Sequence, residues 1–428
     1  MGIGLDFGTT NSSIGFLGAG ADVELVTFPF SEGMTEAFRS LLYLERVREA
    51  GRSIIKSWSG PAGIDRYLDA DDKGRLVQSL KSFLASRSLQ TTEVFGRRFR
   101  LEELIARMLT DLRMAAENHC GRKVRAAMVG RPVRFVGAES AEDDEYALSR
   151  LREALAMAGF EQISFELEPI GAAYYYESTL DHDELILIGD FGGGTSDFSL
   201  LRVGPSAKKS GEGRRRVIGN EGVGLAGDAF DAKIIRYLVS PALGAGSLLR
   251  SGGKLLPVPN WVYLKLERWH HLSFLKSQET LNMLRSVIGQ ALKPAQVKAL
   301  MYLIQHDLGY QLHRAVQRVK IALSGAERAM FHFVDGEVEL ETEVERVSFE
   351  GWIRDELQVI AEAVDGLLGK TGVAATEVDQ VFLTGGSSFV PAVRRIFEER
   401  FGAGKIRTGN EFTSVARGLA LRSVETDG

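Results

Sequence analysis

Asp190-Phe191-Gly192-Gly193-Gly194-Thr195-Ser196-Asp197 lies near the middle of the chain, and a shorter version, Asp6-Phe7-Gly8-Thr9-Thr10-Asn11-Ser12, opens it. Each copy follows a short apolar run (185–189 and 2–5) and precedes another (198–203 and 14–17). The reading is strand, tight turn, strand: a hairpin whose turn carries glycines, hydroxyls and an acid. Glycine lets backbone N–H groups converge on an anion, because no Cβ blocks the approach. Threonine and serine hydroxyls add donors for phosphate oxygens. An acid at the head of a phosphate loop repels the ligand unless a divalent cation lies between them, so Asp6 and Asp190 imply Mg²⁺. Two such hairpins facing each other would clamp a polyphosphate from both sides.

A lone Asp-x-Gly-x-Thr turn is often only a hairpin. Two copies flanked by strands, half a chain apart, point to phosphate binding. Asp190-Phe191-Gly192 also matches the metal-binding tripeptide of protein kinases. No His-Arg-Asp catalytic loop and no G-x-G-x-x-G-x-V strand accompany it, which excludes that reading.

The length of 428 residues suits two lobes or two to three domains, each with its own core. The hydrophobic share of 44% and charged share of 25% are those of a soluble globular protein. A net charge of −5 argues against nucleic acid as the main partner. Cys120 is the single cysteine, so no internal disulfide is possible and a reducing, cytoplasmic setting is expected. The first strand starts at Met1, which leaves no room for a signal peptide, and no run reaches the length of a membrane span.

Along the chain, 24–28 and 41–44 read as strands, and the pattern loosens over 51–90. Within that stretch Lys81, taken alone, reads as a solvated surface lysine. Segments 101–119 and 142–159 have helical spacing, the second ending at a capping glycine. Segments 124–129 and 163–167 read as strands, the first stopped by Pro132. Glu168-Pro169-Ile170-Gly171-Ala172-Ala173 starts a helix. Glu168 stands where a strand gives way to a helix, a place for ligand groups and equally for a charge favoured by the helix dipole.

The basic run 208–216 reads as a solvated hairpin end. The glycine-spaced 222–228 reads as a loop before a helix over 229–238, suited to an anion or a tight turn. Segment 240–260 reads as a long loop. Beyond it, Trp261, Tyr263 and Trp269 read as a satellite core, and His270 and His271 lack metal-ligand spacing. Helices are expected from Pro294 and over 312–323, then a hairpin around Asp335-Gly336 and a helix over 353–368. A buried strand, 378–383, leads into Thr384-Gly385-Gly386-Ser387-Ser388 and a helix over 391–401. There bare backbone would take a flat ring or a ribose. A last helix covers 414–422.

Together these residues resemble the ATPase domain of the Hsp70 chaperones, within the actin, hexokinase and Hsp70 superfamily. The likeness covers essentially the whole chain in order. Residues 6–12 and 190–197 look like the two phosphate loops, 385–387 like the adenosine loop, and 168–173 like the first connecting helix. The resemblance implies an α/β, two-lobed actin-like ATPase fold: duplicated ribonuclease H-like domains, mixed sheets flanked by helices. It places a first lobe at 1–175 with an inserted subdomain at about 30–100, and a second at 176–428 with one at about 228–325. It also revises two readings. Lys81 falls where the family's catalytic lysine lies, and Glu168 on the glutamate that helps to place the attacking water. Lys320 and Ser324 match adenosine-contacting residues, and Pro132 matches a proline proposed to relay nucleotide state.

The chain departs from the family in three ways. Ile321 and Phe389 stand where two arginines usually sandwich adenine, though Phe389 can still stack on a ring. Segment 240–310 is longer than its counterpart. The sequence given stops at Gly428, where the family continues into a peptide-binding domain, so none is expected here.

The expected protein is therefore a slow ATPase acting as a switch through lobe closure, with ATP or ADP and Mg²⁺ as cofactors. Asp6 and Asp190 would hold the metal. Gly8, Thr9, Thr10, Asn11, Gly192, Gly193, Gly194 and Thr195 would cradle the phosphates. Gly227, Lys320, Ser324, Gly385, Gly386, Ser387 and Phe389 would take the nucleoside. Lys81, Glu168, Asp190, Thr195 and Asp197 form the expected catalytic set. Client proteins or co-chaperones are the implied partners of an expected monomer, with no nucleic acid and no membrane. A small-molecule kinase on the same fold and a non-hydrolysing actin-like structural protein are the alternatives.

Overall fold

The computed structural model describes residues 3–18, 22–30, 33–49, 51–70, 74–177, 180–206, 216–268, 275–408 and 414–425. The chain divides into two compact units. One holds Met1–Ala226, Val359–Ser388 and Val393–Gly428; the other holds Gly227–Gln358 and Phe389–Ala392. Among the described residues no helix is long and apolar enough to cross a membrane.

The first unit contains one sheet topology twice. In the first sheet, Ile3–Phe7 is central. On one side it pairs antiparallel with Asn11–Leu17, which pairs antiparallel with Val23–Leu25; on the other it pairs parallel with Ala126–Arg131, itself parallel to Gln162–Leu167. In the second sheet, Glu184–Phe191 is central. Ser196–Val203 and Arg216–Val223 follow antiparallel on one side, Gln380–Thr384 and Ile406–Thr408 parallel on the other. This is the duplicated, mixed α/β arrangement that the resemblance implies. The central strands are buried on both faces, and so they read as continuous apolar runs such as Leu185-Ile186-Leu187-Ile188 rather than as alternation.

Two helices, Glu168–Glu177 and Ser414–Glu425, lie between the sheets. Ile170, Ala172, Ala173, Val415 and Leu419 share a core with Met128 of the first sheet and with Ile186, Ile188 and Leu201 of the second. Small residues allow this close layering. A Cβ on Gly4 would fall 2.2 Å from the Ala420 amide nitrogen. A larger core on the other face of the first sheet gathers Leu5, Val129, Leu104, Met108 and Leu151, under the helices Leu101–Cys120 and Ala141–Met157. These helices confirm their spacing; Gly159, at φ 94°, follows the second as its capping glycine.

Three expectations need correction. Segment 51–90 is not loose: Arg52–Ser59 and Arg75–Gln78 flank Leu41–Glu49 in a three-stranded sheet, with the helix Gly60–Asp69 between them. Arg52–Ser59 is mostly exposed or half-buried, so it lacks the clean apolar alternation that marks a strand. Segment 240–260 is not a long loop. It holds the short helix Ser240–Ala242 and a hairpin, Leu248–Ser251 with Lys254–Pro257, turned at Gly252-Gly253, both at positive φ. The glycine-spaced loop begins later than expected, because Gly222 and Val223 belong to a strand, and the following helix is Gly227–Ile234 with a π-turn after it.

The second unit also carries a helix the spacing did not announce, Gln278–Gln290, capped by Ser277 accepting from the Thr280 amide at 3.2 Å. The expected helices appear as Pro294–Gln305 and Gly309–Gly325, and the expected hairpin as Arg328–Asp335 with Val338–Glu345. Tyr263 is buried in that unit's core, whereas Trp261 is exposed. Residues 208–215 of the basic run, with Trp269, His270 and His271, lie outside the described residues.

Candidate active site

Both hairpins form as read. Asp6 pairs in register with Ser13 and Phe7 with Ser12; Asp190 pairs with Asp197 and Phe191 with Ser196. Each acid therefore sits near the end of a central strand, just before its turn. The two turns also meet. A Cβ built on Gly194 would lie 3.7 Å from Thr9 Cγ2 and 3.7 Å from Ser82 Oγ. The first hairpin, the second hairpin and the segment carrying Lys81 thus converge on one place within the first unit.

Lys81 is not a surface lysine. It is only 6% exposed, on the 3₁₀ turn Leu80–Phe83, and its Nζ lies 2.5 Å from Oε1 of Glu168, itself 7% exposed. Burial pulls the Lys81 pKa down, but Glu168, Asp6 and Asp197 outweigh it and hold the ammonium above its ordinary value. A buried ion of each sign, hydrogen-bonded to the other, is the arrangement that makes burial tolerable.

The aspartates are less well compensated. Asp6 is pushed well above the ordinary carboxylate range, first by burial, then by Glu168 and Asp190, against the pull of Lys81. Burial and Glu168 raise Asp190 to about 6, although the Thr384 hydroxyl donates to its Oδ1. Asp197 is raised well above the usual range by burial, Glu168 and Asp190, against the Thr195 hydroxyl and the Val133 amide. The Val133 N–H donates to Asp197 Oδ1 at 2.9 Å, while Oδ2 is buried without a hydrogen-bond partner among the described residues.

Four carboxylates facing one lysine leave a deficit of positive charge, and an orphaned buried oxygen leaves a deficit of donors. A hydrated divalent cation supplies both, and so the residues present fit Mg²⁺. No group of three or more His, Cys, Asp or Glu side chains among the described residues has the closeness of a direct metal cage.

The third glycine turn rides on the second hairpin. Gly385 has φ 83°, and a Cβ there would fall 2.0 Å from the Phe191 carbonyl oxygen, so only glycine fits. Ser387 behind it is buried. Near the first turn, the Thr10 hydroxyl is buried with no hydrogen-bond partner among the described residues, and Asn11 Oδ1 accepts from Arg39 at 3.5 Å. In the second unit, Gly227, Lys320 and Ser324 come together. Lys320 Nζ lies 2.6 Å from Asp231 Oδ1 and donates to the Gly227 carbonyl at 3.2 Å, while Ser324 Oγ donates to the Lys320 carbonyl at 3.2 Å. Ile321 and Phe389 are 70% and 52% exposed.

Sequence reasoning quoted Thr384 at the head of the third turn without its bond to Asp190, and missed the Val133 amide and Asp231. Thr384 borders Gly385 and Val133 follows Pro132, so adjacency to a motif was the available signal. Asp231 carried none.

A family model described as Hsp70 protein matches residues 73–243 and 304–425, more than half of the chain. Its break falls within the segment expected to be an insertion. The chaperone protein DnaK of Thermosipho africanus is 24% identical over 423 residues, covering 98% of this chain and 58% of the relative. The DnaK of Thermosipho melanesiensis gives 24% over 425 residues, with 98% and 58% covered. That of Thermotoga petrophila gives 24% over 423 residues, with 98% and 59% covered. The chain thus spans 58–59% of the length of these relatives.

Proposed function

Because this chain belongs to the Hsp70 family, we propose that it binds ATP with Mg²⁺, hydrolyses it slowly, and serves as a nucleotide switch. The observation that carries this reading is the buried Lys81–Glu168 pair, set beside Asp6, Asp190 and Asp197 where two like-built hairpins meet.

Asp6 and Asp190 would hold the metal through its waters. Mg²⁺, when bound, would screen the phosphates from these acids and draw charge from the γ-phosphoryl group. Amides and hydroxyls of Thr9, Thr10, Asn11, Gly193, Gly194 and Thr195 would donate to the phosphate oxygens, and Gly8 and Gly192, whose amides donate to Ser12 Oγ and to the Thr195 carbonyl, would shape the cradle. By resemblance, Gly227, Lys320, Ser324, Gly385, Gly386, Ser387 and Phe389 would contact the nucleoside. Lys81 Nζ would neutralise charge developing on the transferred group. Glu168 keeps one oxygen on Lys81 and offers the other to a water. Asp197 is held at Oδ1 by Val133, and its Oδ2, without a hydrogen-bond partner among the described residues, would accept a hydrogen bond from that water. Both acids would act here as water-positioning groups, and slow turnover is expected.

The test is calorimetric ATP binding followed by phosphate release, in the wild type and in Lys81→Ala. Retained binding with turnover lost supports the reading; wild-type turnover in Lys81→Ala refutes it. Phosphate appearing on an added sugar instead of in solution would favour a small-molecule kinase.

A further inference from the structure

The lysine turn is weakly built. It is a single 3₁₀ turn, Leu80–Phe83, entered through Ser79 at φ 52° and ψ 31°. That left-handed conformation is costly for a serine, and the Ser79 hydroxyl is buried with no hydrogen-bond partner among the described residues. Along the turn the backbone bonds are Ser82 N–H to the Ser79 carbonyl at 3.0 Å and Leu84 N–H to the Lys81 carbonyl at 3.2 Å. One turn of helix does not hold itself in water. Yet Lys81 must present its Nζ within 2.5 Å of a carboxylate at the centre of the site.

Something outside the turn fixes it. Arg150, 4% exposed on the helix Ala141–Met157, sends Nη1 to the carbonyls of Phe83 at 3.2 Å, Leu84 at 3.1 Å and Ser86 at 3.1 Å. Its Nη2 donates to the Leu89 carbonyl at 3.1 Å, and its Nε to Glu102, buried on the helix Leu101–Cys120. The guanidinium also lies 5.4 Å from the Tyr146 ring. One side chain thus ties four carbonyls of the segment leaving the lysine turn to two long helices. Leu84 and Ala85 are in the core, so the carbonyls around them have little water to fall back on.

We propose that Arg150, held by Glu102, is a positioning residue for Lys81, acting through the backbone of residues 83–89; this rests on the reading of Lys81 as the lysine that meets the γ-phosphate. Only a planar fork of five donors can span these acceptors. A lysine in its place keeps the charge and loses the span.

The test is a double-mutant cycle on the full chain, with Arg150→Lys and Lys81→Ala alone and together. The readouts are thermal unfolding, calorimetric ATP affinity and single-turnover hydrolysis. In a folded Arg150→Lys protein, ATP affinity stays at the wild-type level and single-turnover hydrolysis falls about ten- to hundredfold. The same substitution causes no further fall in the Lys81→Ala background. An equal fractional loss in both backgrounds, or no loss in the folded protein, overturns the proposal. Should Arg150→Lys fail to fold, Glu102→Gln, which keeps an acceptor for Nε without the charge, is read in the same cycle by the same two outcomes. Wild-type hydrolysis in Lys81→Ala overturns the underlying reading of Lys81 and this proposal with it. A loss in Lys81→Ala that is simply additive with Arg150→Lys overturns this proposal alone.

Discussion

The two hairpins of the first unit are the same device at the level of topology and different devices at the level of side chains. In the first, Ser12 turns back on its own loop: its Oγ accepts from the Gly8 amide at 3.2 Å and bonds Ser40 Oγ at 2.8 Å, while the Ser40 amide donates to the Thr10 carbonyl at 2.9 Å. In the second, the equivalent Ser196 donates away from the loop, to the Leu225 carbonyl at 2.6 Å, and the Gly192 amide is left to the Thr195 carbonyl at 2.9 Å. Opposite Asp6 stands Ser13; opposite Asp190 stands a second acid, Asp197. The first turn is braced and singly charged, which suits holding. The second is doubly charged with an orphaned acceptor, which suits chemistry. The two hairpins thus differ at a handful of side chains while the strand order is unchanged.

The largest predicted effect breaks this symmetry directly. Asp197→Asn should lower single-turnover hydrolysis about a hundredfold or more, with ATP affinity little changed. Ser13→Ala, at the matching position, should cost about 1 kcal/mol of stability and leave hydrolysis near wild type. Equal losses at the two positions would mean that the hairpins are not specialised.

Next in size is a gain. The folded pKa of Asp190, about 6, lies above its ordinary 3.8, so the folded state binds the Asp190 proton more tightly than the unfolded chain does. The nucleotide-free protein therefore loses stability as pH rises through about 6, by up to about 3 kcal/mol. With a metal chelator present, Asp190→Asn should raise the melting temperature at neutral pH. The wild type should close part of that gap as pH is lowered to about 5. A gap that does not change with pH would show that Asp190 is not under this strain.

Gly385→Ala tests the seat of the third turn on the second hairpin. A Cβ 2.0 Å from the Phe191 carbonyl oxygen, at φ 83°, should destabilise the chain by about 1–2 kcal/mol or more in denaturant unfolding. The smallest effect is expected from Ser12→Ala, which removes the brace of the first turn. ATP affinity should fall about fivefold, roughly 1 kcal/mol, and Ser196→Ala should change it less. The reverse order would invert the assignment of which turn holds.

What the sequence disclosed, it disclosed through local chemistry. The hairpins were legible because turn residues and apolar runs sit side by side, and the helices over 101–120 and 141–157 because their apolar residues repeat at helical spacing. Lys81 was not legible from its neighbours. Its burial is made tolerable by Glu168, 87 residues further on, and only the family resemblance pointed to it. Thr384 reaches Asp190 across 194 residues and the Val133 amide reaches Asp197 across 64, and no local pattern encodes either pairing. The hairpin at 248–257 had a signal, Gly252-Gly253 between two Leu-Leu pairs, but the surrounding Gly, Ser and Pro outweighed it. In 51–90 the strands Arg52–Ser59 and Arg75–Gln78 are mostly exposed or half-buried, so no buried apolar alternation marks them.

The central claim is that both hairpins act on one metal-bound triphosphate. Its most direct test is a Mg²⁺ titration of phosphate release at saturating ATP, in the wild type, Asp6→Asn and Asp190→Asn. Each substitution should shift the Mg²⁺ requirement upward by about 10- to 100-fold, as expected for groups that hold a metal through its waters. An unchanged Mg²⁺ requirement in either variant would show that its hairpin does not share the metal, and would contradict the account.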